Sequence, residues 1–381
     1  MRSFIISSSA VKIDRYYDKN FKELAIESIK DLEKKISEPL EPEALIISSV
    51  AVEYLDKQSN MAGIIADYLG LRNIRVYRVE SGEASGLAAV QIAHSLVSSK
   101  AVKKALVIGV DKLSDMPNAK IAELYSYLKD SDYIQIHGVS PLSEAALLAK
   151  IYMKTYDYSY EDLFIWPFTM HQNSPDTPHA QLRFKISPDS YKESPILAEP
   201  LRLLDSYPFG DGASALYIVS EDVAEEYDVN VSIEGLSSSN DVNDIASRED
   251  LLIFSAVRDS FIKTLKMADI ELGKLKYIEI HDNYTPNAFI VLESIGLADR
   301  GKAPELLQDS MIGSAHVNLS GGLKARGNPW GATGVYQVHE IFSALLGEFK
   351  KSVLGEIDYA AAQNMSGCGD VSYSIVLKRV R

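Results

Sequence analysis

The sequence lacks several features that would place it in a functional class at once. Its 381 residues contain a single cysteine, Cys368, so no internal disulfide can form. No run approaches the roughly 20 apolar residues that a membrane-spanning helix needs. The apolar run near the N-terminus is too short for a signal peptide and is soon followed by charge. These absences predict a cytoplasmic protein without a membrane partner.

Basic charge is also scarce, with 39 Lys and Arg against 53 Asp and Glu and a formal net charge of -14. Such a field repels nucleic-acid phosphates, so no nucleic-acid partner is expected. The histidines show no metal-ligand spacing, and the sequence has neither a phosphate loop nor a Gly-x-Gly-x-x-Gly motif. We therefore predict no metal and no nucleotide cofactor bound through those motifs.

What the sequence does have is an alternation of short β-branched runs with longer helical patterns, which is typical of an α/β fold. Predicted strands lie at 4–6, 44–47, 74–79, 105–110, 215–219, 229–233, 277–280 and 371–377. Predicted helices lie at 21–36, 62–69, 84–97, 249–267 and 335–346. The second half repeats the first in this pattern, which indicates an internal duplication.

The duplication predicts an N-terminal half at 1–225 and a C-terminal half at 226–381. Between about 116 and 205 the regular pattern gives way to aromatic, proline and asparagine residues. We interpret that stretch as a loop subdomain that covers a site.

The first notable motif is the segment 79–90, in which a strand runs into small residues and then into a helix that is apolar on nearly every face. The turn between them carries Glu83. A helix N-terminus has unpaired backbone N–H groups and a dipole that favour an anion. Glu83 is therefore a candidate functional acid.

Two further motifs carry polar or glycine-rich sequence. His281-Asp282-Asn283-Tyr284 follows a predicted strand, where side chains of α/β folds commonly line a ligand crevice. The segment 318–334 is a loop that brings its backbone close to a ligand or to another loop. Its backbone-permissive or φ-fixed positions are Gly321, Gly322, Gly327, Pro329, Gly331 and Gly334.

Together these motifs resemble the thiolase superfamily, in particular its sterol-carrier-protein-thiolase-like branch, which includes archaeal and bacterial acetyl-CoA acetyltransferases. Segment 81–86 resembles the nucleophile turn, 281–284 the branch's His-Asp-x-Phe motif, and 320–334 the family's glycine loop. Segments 177–183 and 205–213 match as well, so the resemblance runs in order along essentially the whole chain.

The resemblance implies a five-layer αβαβα sandwich of two duplicated halves, a coenzyme A thioester as substrate or ligand, and a homodimer or tetramer. It also implies departures from the family's chemistry. The position of the acyl-accepting cysteine falls on Glu83, and that of the activating histidine on Asn328. A carboxylate is a poor acyl acceptor, and an amide cannot accept the proton. Of the usual polar set, His281 remains.

Each candidate residue also has a plainer interpretation. Glu83 suits a surface helix cap, His281 a strand cap, and Asn328 a turn. Ser85 is an alternative nucleophile, although no base for it is identifiable. Cys368 suits an inert small residue in a tight turn.

Two functions fit these observations. In the first, the protein is an acyl-CoA-handling enzyme with altered carbon–carbon bond chemistry, such as retro-aldol cleavage. Its predicted catalytic residues are Glu83, His281 and Asn328, with Tyr284 a further oxyanion donor, and its predicted substrate-loop residues are Gly321, Gly322, Gly327 and Gly331. In the second, the protein is a non-catalytic subunit that scaffolds or binds ligand beside a thiolase, a synthase or a small zinc-ribbon/OB-fold partner.

Overall fold

The computed structural model describes residues 2–228 and 231–380. Its strands are β1 (Ser3–Ala10), β2 (Ala44–Ser48), β3 (Arg75–Val79), β4 (Lys104–Asp111), β5 (Ile196–Ala198), β6 (Leu201–Arg202), β7 (Gly212–Ser220), β8 (Val231–Asn240), β9 (Tyr277–Glu279), β10 (Met311–Ile312), β11 (Ala315–Val317), β12 (Tyr359–Ser366) and β13 (Val371–Arg379). The strand predicted at 229–233 is thus present from Val231, and residues 229–230 lie outside the described residues.

The helices follow the same chain order. They are α1 (Phe21–Ile36), α2 (Val52–Leu55), α3 (Met61–Tyr68), α4 (Ser85–Ser98), α5 (Asn118–Ser126), α6 (Pro141–Tyr156), α7 (Ile165–Asn173), α8 (Pro188–Glu193), α9 (Glu221–Ala224), α10 (Ser255–Ala268), α11 (Thr285–Ser294), α12 (Ala303–Leu306), α13 (Gly322–Arg326), α14 (Thr333–Leu346) and α15 (Lys351–Leu354). Within the described part of the chain, no helix is both long and apolar enough to cross a membrane.

Two equivalent sets of strands build the main sheet. Among the described residues its order is β10-β11-β9-β12-β13-β8-β1-β7-β4-β2-β3. The set β3-β2-β4-β7-β1 corresponds strand by strand to the set β11-β9-β12-β13-β8. Corresponding neighbours in the two sets also run in the same relative directions. In each set the first three strands are parallel, and each later neighbour pairs antiparallel. This repeat confirms the predicted duplication.

The two sets join through a short antiparallel pairing of β1 with β8, in which Phe4 faces Ser232 and Ile5 faces Val231. Helices α4 and α14 pack against each other and against strands of both sets, so they form the central layer. Helix α1 covers the outer face of one set and α10 that of the other. The predicted α/β sandwich of five layers is confirmed.

Close contact between the central helices depends on two glycines. A Cβ at Gly86 in α4 would lie 2.6 Å from the backbone nitrogen of Gly334 in α14. Contacts this short between a Cβ and backbone require the helices to move apart. The small residues noted in the first motif therefore bring the start of α4 against the start of α14, and this positions the site.

The stretch 116–205 is largely helical, which corrects the loop structure predicted for it. It contains α5 to α8 and a small sheet of β5 and β6. The start of α6 carries ordinary helix signals, with a capping box at Ser140 and Pro141 in its first turn. In α7, Pro167 also lies in the first turn, where proline is tolerated. Aromatic and proline content misled the prediction because such residues are also compatible with short helix starts.

Candidate functional site

Glu83 lies in the turn between β3 and α4, immediately before the helix N-terminus. Its side chain is 0% exposed, which excludes the surface-cap interpretation. Gly82 adopts φ +54, and a Cβ there would lie 2.1 Å from the Ser366 hydroxyl at the end of β12. Only glycine lets the turn approach β12 this closely. Ser85 accepts from the Ser81 N–H and donates to the Gly82 carbonyl, so its hydroxyl is committed to the turn.

Both oxygens of the Glu83 carboxylate accept a strong hydrogen bond. The Asn328 amide nitrogen donates to Oε1 at 2.7 Å, and the Tyr125 hydroxyl donates to Oε2 at 2.7 Å. Thr333, at the start of α14, donates to the Asn328 carbonyl oxygen and thereby fixes which end of the amide faces Glu83. The Asn283 amide nitrogen also donates to Oε2, at 3.4 Å. Neutral donors thus surround the buried carboxylate, and Oε1 retains a further lone pair.

His281 lies beside the carboxylate oxygen that Asn328 binds. Its Nε2 is 3.7 Å from Glu83 Oε1, beyond hydrogen-bond reach, and has no hydrogen-bond partner. Its Nδ1 lies 2.8 Å from the Asn364 amide nitrogen. The structure therefore brings Glu83, His281 and Asn328 together and leaves one ring nitrogen beside the carboxylate without a partner.

Cys368 lies near the site but outside its reactive geometry. The sulfur donates to the Pro141 carbonyl at 3.5 Å and accepts from the Asn287 amide at 3.5 Å. Burial raises the pKa of this thiol far above its ordinary value. Because the thiolate is the nucleophilic form, Cys368 is an inert core residue here.

Three tyrosines pack together next to Glu83, and one of them, Tyr125, donates to it. The rings of Tyr125 and Tyr207 meet edge to face at 6.2 Å, and those of Tyr207 and Tyr284 are 6.0 Å apart. Trp330 stacks on Tyr125 at 5.4 Å and donates to the Tyr207 hydroxyl at 3.1 Å. Burial, and next the Glu83 charge, raise the pKa of all three phenols well above the ordinary value. They therefore remain protonated donors.

The same three rings form one wall of a cavity of about 510 Å³. Glu83 is not part of that wall, and Tyr125, which lines the cavity and donates to Glu83, connects the two. Most of the remaining lining is apolar, as is usual for a small-molecule site. The other lining residues are Arg15, Asn118, Ala122, Ser140, Leu142, Leu182, Phe184, Leu197, Leu203, Leu204, Ser206, Pro208, Phe209 and Lys324.

The glycine loop packs against protein. A Cβ at Gly321 would meet Ser174, one at Gly322 would meet Asp282, one at Gly327 would meet Ile13, and one at Gly331 would meet Ser49. The loop is fastened by Asp111, whose carboxylate accepts from the Gly331 N–H at 2.8 Å and from the loop after β2. Of the two sequence-based alternatives, the geometry favours contact with other loops.

A metal centre is not formed in residues 2–228 and 231–380, where no group of three or more His, Cys, Asp or Glu side chains is arranged to hold a metal ion.

Comparison with known proteins identifies the family. The acetyl-CoA acetyltransferase of Methanocaldococcus jannaschii is 32% identical over 89% of this chain and 88% of its own length. The chain belongs to the thiolase superfamily. Residues 237–379 of this thiolase-superfamily member match the thiolase C-terminal domain-like family.

Other relatives place it in the sterol-carrier-protein-thiolase-like branch. The acetyl-CoA acetyltransferase of Methanothermobacter thermautotrophicus is 29% identical over 98% of this chain and 99% of that protein. Human sterol carrier protein 2 is 25% identical over 80% of this chain and 58% of that protein.

Solved structures of more distant sequence share the fold. The Ltp2-ChsH2(DUF35) aldolase superposes with a TM-score of 0.84 at 17% identity, covering 100% of this chain and 98% of that chain. Human mitochondrial 3-ketoacyl-CoA thiolase in complex with CoA superposes with a TM-score of 0.77 at 16% identity, covering 100% and 98%.

Sequence reasoning missed Tyr125, Tyr207 and Lys324 as site residues. Tyr125 lies in α5, inside the stretch interpreted as loop, so the direction in which its side chain points was not predictable. Tyr207 lies in segment 205–213, which matches the family, but no neighbouring residue in the sequence indicated a chemical role for it. Its neighbour in space, Trp330, belongs to a loop more than a hundred residues away.

The Tyr125 hydrogen bond supplies a test of this geometry. In Tyr125→Phe the buried Glu83 Oε2 loses its short donor, so the free energy of unfolding should fall by about 1–3 kcal/mol. The control is Tyr127→Phe on the exposed side of the same segment, which should change stability by less than about 0.5 kcal/mol. Equal effects of both changes in urea denaturation would contradict the role of Tyr125.

Proposed function

We propose that this protein binds an acyl-CoA and breaks or forms a carbon–carbon bond in it by proton transfer through Glu83 and Tyr125, without an acyl-enzyme. The observation that carries the proposal is a fully buried carboxylate, held by Asn328 and by a tyrosine that also lines an apolar cavity. On the family resemblance, this carboxylate occupies the position of the acyl-accepting cysteine.

The thioester as ligand is supported by the relatives. Two archaeal relatives are named acetyl-CoA acetyltransferases, and a thiolase of the same fold was solved with CoA. Another structure of this fold is an aldolase, which makes aldol chemistry compatible with the fold but carries no evidence about this site.

Retro-aldol cleavage of a β-hydroxyacyl-CoA would use Tyr125 as the proton relay and Glu83 as the final proton acceptor. The Tyr125 oxygen takes the β-hydroxyl proton while the phenol gives its own proton to Glu83 Oε2. The Cα–Cβ bond breaks, Cβ becomes an aldehyde or ketone carbonyl, and the electron pair passes to Cα and the thioester oxygen. The proton held by Glu83 then returns through Tyr125 to Cα, which gives the shorter acyl-CoA. Atoms and charge therefore balance.

The remaining site residues support these steps. The pKa of the Tyr125 phenol lies well above its ordinary value, so it relays a proton and Glu83 is the base. The Asn328 amide, fixed by Thr333, holds Oε1 and leaves Oε2 for the transfer. We assign Tyr284, a protonated phenol on the cavity wall, to hydrogen bonding with the developing oxyanion. His281 Nε2, which has no partner and lies 3.7 Å from Glu83 Oε1, is assigned a second acid/base role beside that carboxylate. Gly321, Gly322, Gly327 and Gly331 serve the substrate indirectly by shaping the loop.

If the protein is the enzyme proposed, conservative substitutions of Glu83 and Tyr125 should lower its activity. The assay is release of aldehyde or ketone from a panel of β-hydroxyacyl-CoAs. Glu83→Gln and Tyr125→Phe should each lower the rate by about 10²-fold or more. Glu123→Gln, on the exposed face of α5, is the matched control and should keep the native rate.

The same preparation should show no CoA-dependent cleavage of acetoacetyl-CoA at an ordinary enzyme rate of about 10 per second. Thiolase turnover by the native protein, or full activity in Glu83→Gln, would contradict the proposal.

A second function is favoured by the tyrosine wall itself. Because Tyr125, Tyr207 and Tyr284 line the cavity and Glu83 does not, the protein is suited to hold an acyl-CoA without chemistry as the subunit of a complex. A small DUF35-type partner is one such component, since the aldolase neighbour is named as a complex of that kind. The expected setting in either case is the cytoplasm. Acyl-CoA binding without turnover, in the presence or absence of partner, would favour this function.

We propose a homodimer formed through β3. This strand is one edge of the main sheet, opposite β10, and Val76 and Tyr77 on it are 40% and 37% exposed. An open edge of this kind presents unpaired backbone groups to another strand. Val76→Asp should therefore shift the protein toward monomer in light scattering, whereas Ile262→Asp on exposed α10 should not. A native monomer, or a dimer insensitive to Val76→Asp, would contradict this interface.

A further inference from the structure

One buried cation faces the cavity without a counter-ion. Lys324 is 3% exposed and lies in α13 of the glycine loop. Its Nζ donates to the Ser206 carbonyl at 2.7 Å. An ammonium has three N–H donors, so two remain for other partners. Because Lys324 and Ser206 both line the 510 Å³ cavity, these donors lie at the cavity wall.

The other buried cations are all paired with carboxylates. Arg326 binds Glu340 at 2.8 Å. Lys112 binds Asp211 at 3.0 Å, and Lys129 binds a carboxylate at 2.7 Å. Buried charges are normally paired in this way, because an unpaired one is costly.

Lys324 departs from that pattern. Within residues 2–228 and 231–380 it makes no ion pair, although every other cation of similar burial does. The nearby carboxylates are already engaged. Asp205 accepts from Tyr160, Tyr191 and the Arg202 N–H. Asp282 accepts from Trp166, Asn318 and the Leu323 N–H.

The burial of Lys324 without a counter-ion changes its own pKa. Burial lowers the pKa of Lys324 to about 8, and the charges of Asp205 and Asp282 oppose this only in part. Burial raises the pKa of both neighbouring carboxyls, that of Asp282 to about 7. His171 on α7 is a further titratable neighbour, and burial lowers its pKa to about 4, so it contributes no positive charge near neutral pH. Arg15 adds an exposed guanidinium to the same cavity. The cavity therefore combines apolar walls with positive charge and no negative charge of its own.

We infer that the cavity selects an acyl group that ends in a carboxylate, with Lys324 as its counter-ion. This inference rests on the proposed function, because it names the substrate class of the same site. The methylene chain lies against the leucine and phenylalanine side chains, and the terminal carboxylate accepts from the free N–H donors of Lys324. A charge-assisted hydrogen bond to this buried ammonium is stronger than a neutral one.

The test compares ligands that differ only in the terminal group. Calorimetric titrations at pH 7 use glutaryl-, adipyl- and suberyl-CoA, each against the straight-chain acyl-CoA of equal carbon number. For at least one chain length the native protein should bind the carboxylate form about 10-fold or more tightly. Lys324→Met should abolish this preference, while Lys324→Arg should keep most of it. Lys185→Met, an exposed lysine, is the control and should keep the native preference.

The pH dependence of the native protein tests the inference without any variant. The ammonium is the form that binds a carboxylate, and its pKa is lowered to about 8. The preference should therefore be present at pH 7 and decline as pH rises through about 8 to 9.5. Binding of the neutral acyl-CoAs should change little over the same range. A preference independent of pH would overturn the role of Lys324.

The outcomes separate this inference from the function on which it rests. Binding of neither series would refute the acyl-CoA proposal itself. Equal binding of both series would leave acyl-CoA binding intact and overturn only the carboxylate selection. Borohydride trapping of a β-ketoacyl-CoA on Lys324 would assign this amine to imine chemistry and would also overturn the inference.

Discussion

The hydrogen bond from the Asn328 amide to the buried Glu83 carboxylate is the contact on which the rest of the site depends. Glu83 comes from the turn before α4 in one half of the fold, and Asn328 from the loop before α14 in the other. Their meeting requires the near-contact of Gly86 and Gly334, since any side chain there would separate the two helices. Tyr125 then completes the site from the helical segment that covers it.

The buried charges discussed above, within residues 2–228 and 231–380, are paired, and Lys324 is the exception. Buried carboxylates are met by several donors, as at Asp111, where burial raises the pKa to about 6 although four neighbouring groups donate to it. Buried cations are met by carboxylates. In the part of the chain that the structure describes, Lys324 lacks such a partner, and it lines a cavity in which a ligand can supply one. A ligand bound in this cavity would therefore explain both the layer of tyrosines and the unpaired charge of Lys324.

Much of the architecture was predictable from local pattern. Apolar runs located the principal strands, and the small residues after Gly82 predicted a buried helix beginning near Glu83, because a helix that is apolar on all faces must lie inside the protein. The motif resemblance predicted that Glu83, His281 and Asn328 would come together. It did so because family motifs encode tertiary proximity that periodicity does not.

What was missed depends on long-range packing. The stretch around α6 was interpreted as loop although Ser140 begins a capping box, because its aromatic flanks hid the helical pattern. Tyr125 became a site residue only when α5 packed over Glu83, and Lys324 became notable only when the carboxylates near it proved to be occupied. Neither property is contained in a local stretch of sequence.

The central claim is that Glu83 acts on an acyl-CoA through Tyr125. The most direct measurement is a structure of the protein bound to a non-cleavable thioether analogue of a β-hydroxyacyl-CoA. The account predicts the acyl chain in the cavity, with its β-oxygen within about 3.2 Å of the Tyr125 hydroxyl while that hydroxyl still binds Glu83. An acyl chain lying elsewhere, or a β-oxygen beyond hydrogen-bond reach of both Tyr125 and Glu83, would contradict it.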